Sequence, residues 1–474
     1  MEHRRGQWGS NFGFLMATVG AAVGLGNIWG FPYKMGNNGG FPFLIIYFAL
    51  AVLVGFTILI TELSIGRKVG RSVLVSYTQV AGKPGTFLGI LAMLSPFLIL
   101  SFYTVLGGYC LQYVFLNAAE LIGLGSAGQL SGAESFSNML TNQPMSILFT
   151  VIYIAADFFI IRGGIKGGIE RFNKVGMPAL AIMLVIVIIR AVTLPGASEG
   201  LAFMLTPNFE PIREDFIGVL SAAGGQMFFS LSLAMGISVT YGSYLSKKEN
   251  LVKNSLIIIV SDTCVAIMAG LAVLPSAFAL GGEGASLEGP KLLFITLQDV
   301  FNAMGPAGPV FGILFFALVS LAAITSSIAL TEVLVTFFMD RQTMKGKTPN
   351  RNKIVALISL AILVEAVLVA ADGMGSNGLW IPFHELGLTF SGSWLDFMDF
   401  ISEGVAMPLG ALILSILIGW VIGPKIVRDE VSQAGNQMGK RLYTFYTICI
   451  RFVAPVIMAL ILYGQVKTFL TPLG

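Results

Sequence analysis

The chain has 474 residues, of which 55% are hydrophobic and 11% charged, a mean hydropathy of +0.83 and a formal net charge of +3. Soluble domains carry about a quarter charged residues, so this composition excludes a water-soluble enzyme and a nucleic-acid-binding module. Three cysteines at unrelated spacings (Cys110, Cys264, Cys449) and two histidines (His3, His384) exclude a disulfide framework and a histidine-based metal site.

In chain order, apolar runs long enough to cross a bilayer as helices predict eleven spans, at about 11–35, 41–66, 87–117, 145–161, 175–195, 216–244, 254–280, 308–339, 354–371, 397–423 and 443–466. The first run leads on without a small-residue cleavage pattern, so it reads as a span and not as a cleavable signal peptide. Basic residues test the count. With the N-terminus inside, the inner loops hold Arg4 and Arg5; Arg67, Lys68, Arg71 and Lys83; Arg162, Lys166, Arg171 and Lys174; Lys247, Lys248 and Lys253; Arg341, Lys345, Lys347, Arg351 and Lys353; and Lys425, Arg428, Lys440 and Arg441. These are 22 of the 28 basic residues. The other loops hold Glu120, Glu134, Glu199, Glu210, Glu283, Glu288, Asp372 and Glu385. Such asymmetry predicts a multi-pass protein of the cell membrane, N-terminus cytoplasmic and C-terminus extracellular. No soluble domain is expected: residues 1–474 read as one transmembrane domain, with spans 1–5 over about 11–195, spans 6–10 over about 216–423 and span 11 over about 443–466. The longest loops, about 118–144, 281–307 and 372–396, are rich in Gly and Ser and are candidate external lids.

Two of these spans are irregular. VGAAVGLGNIWGFP (19–32) puts glycines, an asparagine and a proline inside span 1, and QMFFSLSLAMG (226–236) punctuates span 6 with serines and a glycine. Each helix-interior glycine costs roughly 1 kcal/mol relative to alanine. Taken alone, the glycines suit close helix packing, since Gly20 and Gly24 have small-xxx-small spacing. Asn27 and the matching break in span 6 favour another reading, interrupted helices in corresponding places of two inverted halves. There, freed carbonyls coordinate a cation, and half-helix N-termini face an anionic substrate group.

The stretches GAAVGLGNIWGFPY (20–33), ELSIGR (62–67), RGGIKGGIERFNKVGMP (162–178), TLPGASEGL (193–201), QMFFSLSLAMG (226–236) and AAITSSIAL (322–330) resemble, in order, the neurotransmitter:sodium symporter family. The likeness runs from Arg5 to about Asp399. It implies an all-α polytopic membrane protein with the LeuT-type 5+5 inverted repeat and discontinuous spans 1 and 6. Eleven spans and short termini resemble the prokaryotic branch. The implied activity is sodium-coupled uptake of an amino acid by alternating access. The expected partners are that substrate and the lipid bilayer, with no nucleic acid, in a monomer or weak dimer.

The resemblance also implies residues. A first sodium site is expected at the Ala22 carbonyl, Asn27, Ser230 and Asp262. A second is expected at the carbonyls of Gly20, Val23 and Ala322 and the hydroxyls of Thr325 and Ser326. Oxygen donors suit a hard monovalent cation, although hydroxyls on a helix also bond back to the preceding turn. Many relatives carry asparagine at the position of Asp262 and bind chloride nearby. With Asp262 in place and Ala266 offering no hydroxyl, no chloride requirement is expected. A neutral, protonated Asp262 is the alternative, and it leaves proton coupling open. The substrate site is expected at Ala22, Val23, Gly24, Gly26, Ile99, Tyr103, Phe229, Ser230, Ser232, Met235, Ser326 and Leu330. Amine-transporting relatives have aspartate where this chain has Gly24, so the ligand is expected to bring its own carboxylate. The apolar pocket suits neutral, hydrophobic or aromatic L-amino acids.

Gates are implied too. Arg5, Trp8, Tyr244 and Asp340 match an internal gate built on an Arg–Asp pair, and Tyr103 and Phe229 are expected to close over the substrate. Asp399 matches the acid of an outer pair whose arginine is replaced by Gly30; Lys34 or a water-linked contact is left to stand in. Gly168 and Pro178 frame a stretch of span 5 that unwinds in relatives, or an ordinary helix start. Glu62 is expected to bond the broken backbone of span 1 or 6.

Two other functions fit the composition, a non-transporting receptor or scaffold and a membrane-embedded enzyme. No nucleophile elbow, metal motif or His/Asp/Glu constellation supports the enzyme.

Overall fold

The computed structural model describes residues 6–125, 130–281 and 289–472. Among them the only pairing of extended backbone is an isolated bridge between Leu388 and Pro472; the rest is helices and turns. Among the described residues, nine helices are long and apolar enough to cross a membrane: Phe41–Val69, Val73–Leu121, Gln143–Arg162, Ile165–Val192, Leu251–Ala279, Gly305–Met344, Arg351–Asp372, Trp394–Ile422 and Lys440–Phe469. They correspond to predicted spans 2, 3, 4, 5, 7, 8, 9, 10 and 11. Span 1 is the bent pair Asn11–Ala22 and Gly26–Asn37, which turn 49° at their junction and make a tenth. Predicted span 6 consists of Phe216–Ser230, an irregular stretch and the six-residue Ile237–Gly242. Neither piece alone reaches the roughly 20 residues that a bilayer requires, so length and composition give nine or ten spans.

Local chemistry sets the ends. Ser10 caps span 1 by accepting from the Gly13 amide at 3.0 Å. Span 2 starts Phe41-Pro42 after Gly40 at φ +70° and stops at Gly70 in the left-handed region. Asn350 caps span 9 through the Lys353 amide at 3.0 Å. Two boundaries differ from the sequence reading. Span 3 begins at Val73, and Gly82 (φ 61°, ψ −137°) bends its first turns away from the main axis. Span 5 begins at Ile165, because the glycine-rich GGIKGG segment forms a wide helical turn, Ile165–Glu170, where a loop was expected. The predicted lid loops carry short helices as well, Gly132–Thr141 and Leu297–Ala303 among them; Glu283 and Glu288 lie outside the described residues.

Burial sorts the spans into layers. In spans 3 and 8, 72% of the most apolar window is buried inside the protein, against 33% in spans 5 and 11. Spans 3 and 8 therefore form the centre and pack along each other, and spans 5 and 11 face lipid. The two broken spans lie inside this frame, span 1 against spans 5, 7 and 8, and span 6 against spans 2 and 11.

Candidate functional site

The breaks in spans 1 and 6 face each other. In span 1 the last helical bond runs from the Val23 amide to the Val19 carbonyl at 2.7 Å, and Val23 then turns extended. In span 6, Ser232 (φ 53°) and Ala234 (φ 60°) adopt left-handed backbone without being glycine. Each such residue costs of order 1–3 kcal/mol and persists only where its surroundings fix it. Here they do: Ser232 Oγ donates to the Ala21 carbonyl at 3.0 Å, and the Ala234 amide donates to Glu62 at 3.2 Å. Glu62 is fully buried in span 2 and also accepts from Tyr77 at 3.0 Å. It thus holds the broken backbone of span 6.

One side of the breaks carries a cluster around Asp262 of span 7. Asn27 Nδ2 donates to Asp262 Oδ1 at 2.8 Å and to its carbonyl at 3.2 Å. Ser230 Oγ lies 2.8 and 3.0 Å from the two carboxylate oxygens, and Tyr47 donates to Oδ2 at 3.1 Å. Tyr47 was not foreseen, because a tyrosine in an apolar run reads as packing. Asn27 Oδ1 faces back across the break toward the Gly24 amide at 3.3 Å.

On the other side, Thr325 and Ser326 of span 8 approach the carbonyls of span 1. Thr325 Oγ1 is 3.4 Å from the Val23 carbonyl and bonds back to Ala322 at 2.7 Å. Ser326 Oγ lies 3.1 Å from the Ala21 carbonyl and 3.4 Å from that of Gly20. Gly20, Val23, Ala322, Thr325 and Ser326 therefore come together, and the back-bonding geometry coexists with the cross-helix one. Apart from the Asn27 amide nitrogen, which is taken up by Asp262, both clusters offer oxygen, with a single carboxylate between them, a donor chemistry that fits sodium.

Beside the break lies a narrow space of about 20 Å³ bordered by Ala21, Ala22, Gly24, Gly26, Tyr103, Phe229, Ser232, Met235, Ile237, Ser326 and Leu330. Tyr103 OH accepts from the Leu25 amide at 3.0 Å, and its ring lies 6.4 Å from that of Phe229. A Cβ on Gly24 would sit 2.4 Å from Ser326 Oγ and 2.5 Å from Tyr103 OH, so no larger residue fits. Three expected pocket residues are not on this wall. The Val23 carbonyl turns to Thr325, Ser230 turns to Asp262, and Ile99 is buried in span 3. Ala21 and Ile237 border the space instead. A volume this small holds about one water, so Tyr103, Phe229 or the span 6 backbone must move to admit an amino acid.

At the end that carries Trp8, its indole donates to the Tyr241 carbonyl at 3.1 Å and its ring meets Phe14, Tyr241 and Tyr244 edge-on. Tyr244 OH donates to Glu332 at 2.9 Å, and Glu332 pairs with Arg351 at 2.5 Å. Arg351 also caps the Ile161 carbonyl of span 4 at 2.8 Å. Glu170 of span 5 accepts from the Gly9 amide at 2.6 Å and from Ser10 at 3.2 Å. Sequence reasoning missed Glu170, Glu332 and Arg351. Asp340 caps Ser72 at 2.6 Å and lies 3.7 Å from Arg71; Arg5, its expected partner, lies outside the described residues. At the opposite end Gln226 takes up part of the place an arginine at 30 would use. Its amide donates to the Gly26 carbonyl at 2.7 Å, and a Cβ on Gly30 would lie 2.9 Å from its Oε1. Asp399 Oδ1 is buried there with no hydrogen-bond partner among the described residues.

The model of the sodium:neurotransmitter symporter family matches residues 5–126 and 129–473. The chain belongs to that family. This symporter-family chain is 33% identical to an uncharacterized sodium-dependent transporter of Bacillus subtilis, over 97% of each chain. It is 32% identical to another from Haemophilus influenzae, again over 97% of each. The sodium- and chloride-dependent glycine transporter 2 of Xenopus laevis is 22% identical, over 97% of this chain and 64% of the relative. Among solved structures, MhsT in complex with L-phenylalanine superposes with a TM-score of 0.85 at 33% identity, covering 97% of this chain and 100% of MhsT. The protein is therefore a multi-pass membrane transporter with the LeuT-type helical fold, of a family that uses sodium and is not made of enzymes.

Proposed function

We propose that this protein couples sodium to the uptake of neutral, hydrophobic or aromatic L-amino acids across the cell membrane by alternating access, without chloride. The observation that carries the reading is the pair of oxygen clusters, around Asp262 and around Thr325–Ser326, meeting the same break in span 1 beside a narrow space. Two sodium ions are its cargo at these places, the first completed by the substrate carboxylate and the Ala22 carbonyl. The ligand's carboxylate meets the amides of Ala22–Gly26 and Tyr103; its ammonium meets Ser326 and the carbonyls near Phe229 and Ser230. Met235, Leu330 and Phe229 receive the side chain. The complex of MhsT with L-phenylalanine supports an aromatic substrate by likeness.

Orientation follows the basic loops, with the N-terminus inside and the C-terminus outside. The working unit is a monomer or weak dimer built on two inverted five-span repeats. Two charges moving through 100 mV supply ~4.6 kcal/mol, about a thousandfold accumulation. Proteoliposome uptake of labelled L-phenylalanine, competed by each of the twenty amino acids, tests the substrate class. Uptake is expected to stop when sodium is replaced by choline and to persist when chloride is replaced by gluconate. Asp262→Asn is expected to lower uptake at least tenfold in gluconate, with partial recovery in chloride. Loss of wild-type uptake in gluconate overturns the chloride reading, and uptake unaffected by choline overturns the whole.

A further inference from the structure

Away from the broken spans, the lipid-facing surface holds a concavity that transport does not use. Spans 3, 8 and 9 enclose a groove of about 590 Å³ walled by Leu74, Met93, Phe97, Leu334, Phe337 and Ile358. That volume lies within the range of about 300–1,000 Å³ typical of ligand sites. The groove lies on the half of the protein that carries the basic loops. Its wall is almost entirely carbon, and it opens to the membrane past exposed Ile90 and Leu357.

A second hollow adjoins it and shares Leu74 and Phe337. Its surface is mostly apolar too, with Val75 and Met344, but it also carries the polar side chains Thr78, Gln79 and Thr86 and two cations, Arg341 and Lys345. The bend at Gly82 creates it by folding the first turns of span 3 over the groove, and Thr78 and Thr86 bond across that bend at 3.0 Å. Arg341 and Lys345 stand one helical turn apart at the end of span 8 and are exposed; neither has an acidic partner among the described residues.

The two hollows together place an apolar groove beside a pair of cations, Arg341 and Lys345. Apolar walls alone cannot select a lipid, because bilayer chains are as apolar as the groove. Any preference must come from the polar end, where basic pockets on the cytoplasmic side attract anionic headgroups. We propose that this is a binding site for an anionic glycerophospholipid, with an acyl chain along Leu74, Phe97 and Ile358 and the phosphate on Arg341 and Lys345. A lipid seated there braces spans 3 and 8, which carry Tyr103 and the Thr325–Ser326 pair.

The test incubates delipidated full-length protein in detergent with equal amounts of dioleoyl phosphatidylglycerol and dioleoyl phosphatidylcholine, and counts what stays bound by native mass spectrometry. Wild type is expected to retain the anionic lipid preferentially, by about fivefold for each basic residue engaged, the factor that ~1 kcal/mol per residue gives. The exposed pair R341Q/K345Q is expected to bring the ratio close to unity. Ile358→Trp, which fills the groove, is expected to reduce retention of both lipids. Equal retention by wild type, or an unchanged preference in R341Q/K345Q, overturns the proposal. So does displacement of the lipid by millimolar glycerol phosphate, which would make the site one for a free anion.

Discussion

The two ends of the transport path are closed by different chemistry. At the end proposed as cytoplasmic, Trp8, Tyr241, Tyr244, Glu332, Arg351 and Glu170 tie spans 1, 4, 5, 6, 8 and 9 together through enclosed charges and directed hydrogen bonds. At the proposed outer end the closure is two rings 6.4 Å apart, one tyrosine hydrogen bond and a glutamine on a freed carbonyl, with Asp399 Oδ1 lacking a hydrogen-bond partner among the described residues and Lys34 near enough to act on that carboxylate by charge alone. Buried charges are costly to separate, and ring contacts are worth about 0.5–1.5 kcal/mol. On the proposed orientation this difference favours opening at the outer end first, which the proposed uptake from outside requires.

The largest effect is expected at Glu332. Its carboxylate is wholly enclosed and serves Arg351, Tyr244 and Thr336. Glu332→Gln leaves Arg351 without its counter-charge. Removing one partner of a buried pair costs about 3–5 kcal/mol, and the residual exposure of Arg351 (18%) points to the low end, about 3 kcal/mol. The expected result is faster hydrogen–deuterium exchange over residues 237–245 and loss of net uptake. Unchanged exchange there would mean that the inner closure rests elsewhere.

Glu170→Ala comes second. It releases the Gly9 amide and the Ser10 hydroxyl, at about 1–3 kcal/mol for donors that lose a buried charged acceptor. Because Glu170 ends the wide turn that opens span 5, unwinding of that turn and release of the N-terminal segment are one motion. The expected readout is roughly tenfold weaker apparent sodium affinity, since an inward-opened second cluster loses its ion; each decade is about 1.4 kcal/mol.

These inner residues also show what a single sequence hides. The two breaks were legible because glycines, an asparagine and serines stand out within apolar runs, whereas Thr325 and Ser326 were pointed to by the family resemblance, since hydroxyls on a helix alone read as back-bonding to the preceding turn. Asp262 announced itself as a carboxylate inside a span. Glu332 and Arg351 did not. Each is ordinary for a helix end near a basic loop, and their meeting depends on how spans 8 and 9 pack. The early start of span 5 was missed because its glycines read as loop, whereas a wide helical turn uses them. Left-handed Ser232 and Ala234 carry no local signal, since Glu62 and the Ala21 carbonyl impose their conformation from other spans.

At the outer end the effects are expected to be smaller and of another kind. Tyr103→Phe removes the acceptor of the Leu25 amide and the hydroxyl contact with Ser326, each worth about 0.5–1.5 kcal/mol. KM for the amino acid is expected to rise about threefold to tenfold, because the same hydroxyl is proposed to meet the substrate carboxylate. Exchange over residues 237–245 is expected to stay at the wild-type level, in contrast to Glu332→Gln. If Tyr103→Phe loosened the inner segment as well, the two closures would be one coupled unit.

The smallest change tests the asymmetry from the other direction, by adding a second cation at the end where Lys34 already acts on Asp399 and Glu403. Gly30 sits in right-handed helical backbone, so a side chain there is not strained by φ. The first obstacle to it is the Gln226 amide oxygen at 2.9 Å, the far end of a flexible side chain that can turn aside. Gly30→Arg would bring a guanidinium toward Asp399, whose Oδ1 has no hydrogen-bond partner among the described residues. Burial of Asp399 Oδ1 imposes on such a pair a desolvation cost that offsets much of its attraction, so its net contribution is expected to stay within about 1 kcal/mol, with folding and sodium dependence unchanged. What shifts is the closing step: slower release of labelled substrate toward the outside, by up to about fivefold for 1 kcal/mol, and no added effect in Gly30→Arg/Asp399→Asn. A slowing that persists without Asp399 would assign the effect to displaced Gln226, and the outer closure would then rest on that glutamine and the Gly26 carbonyl it holds.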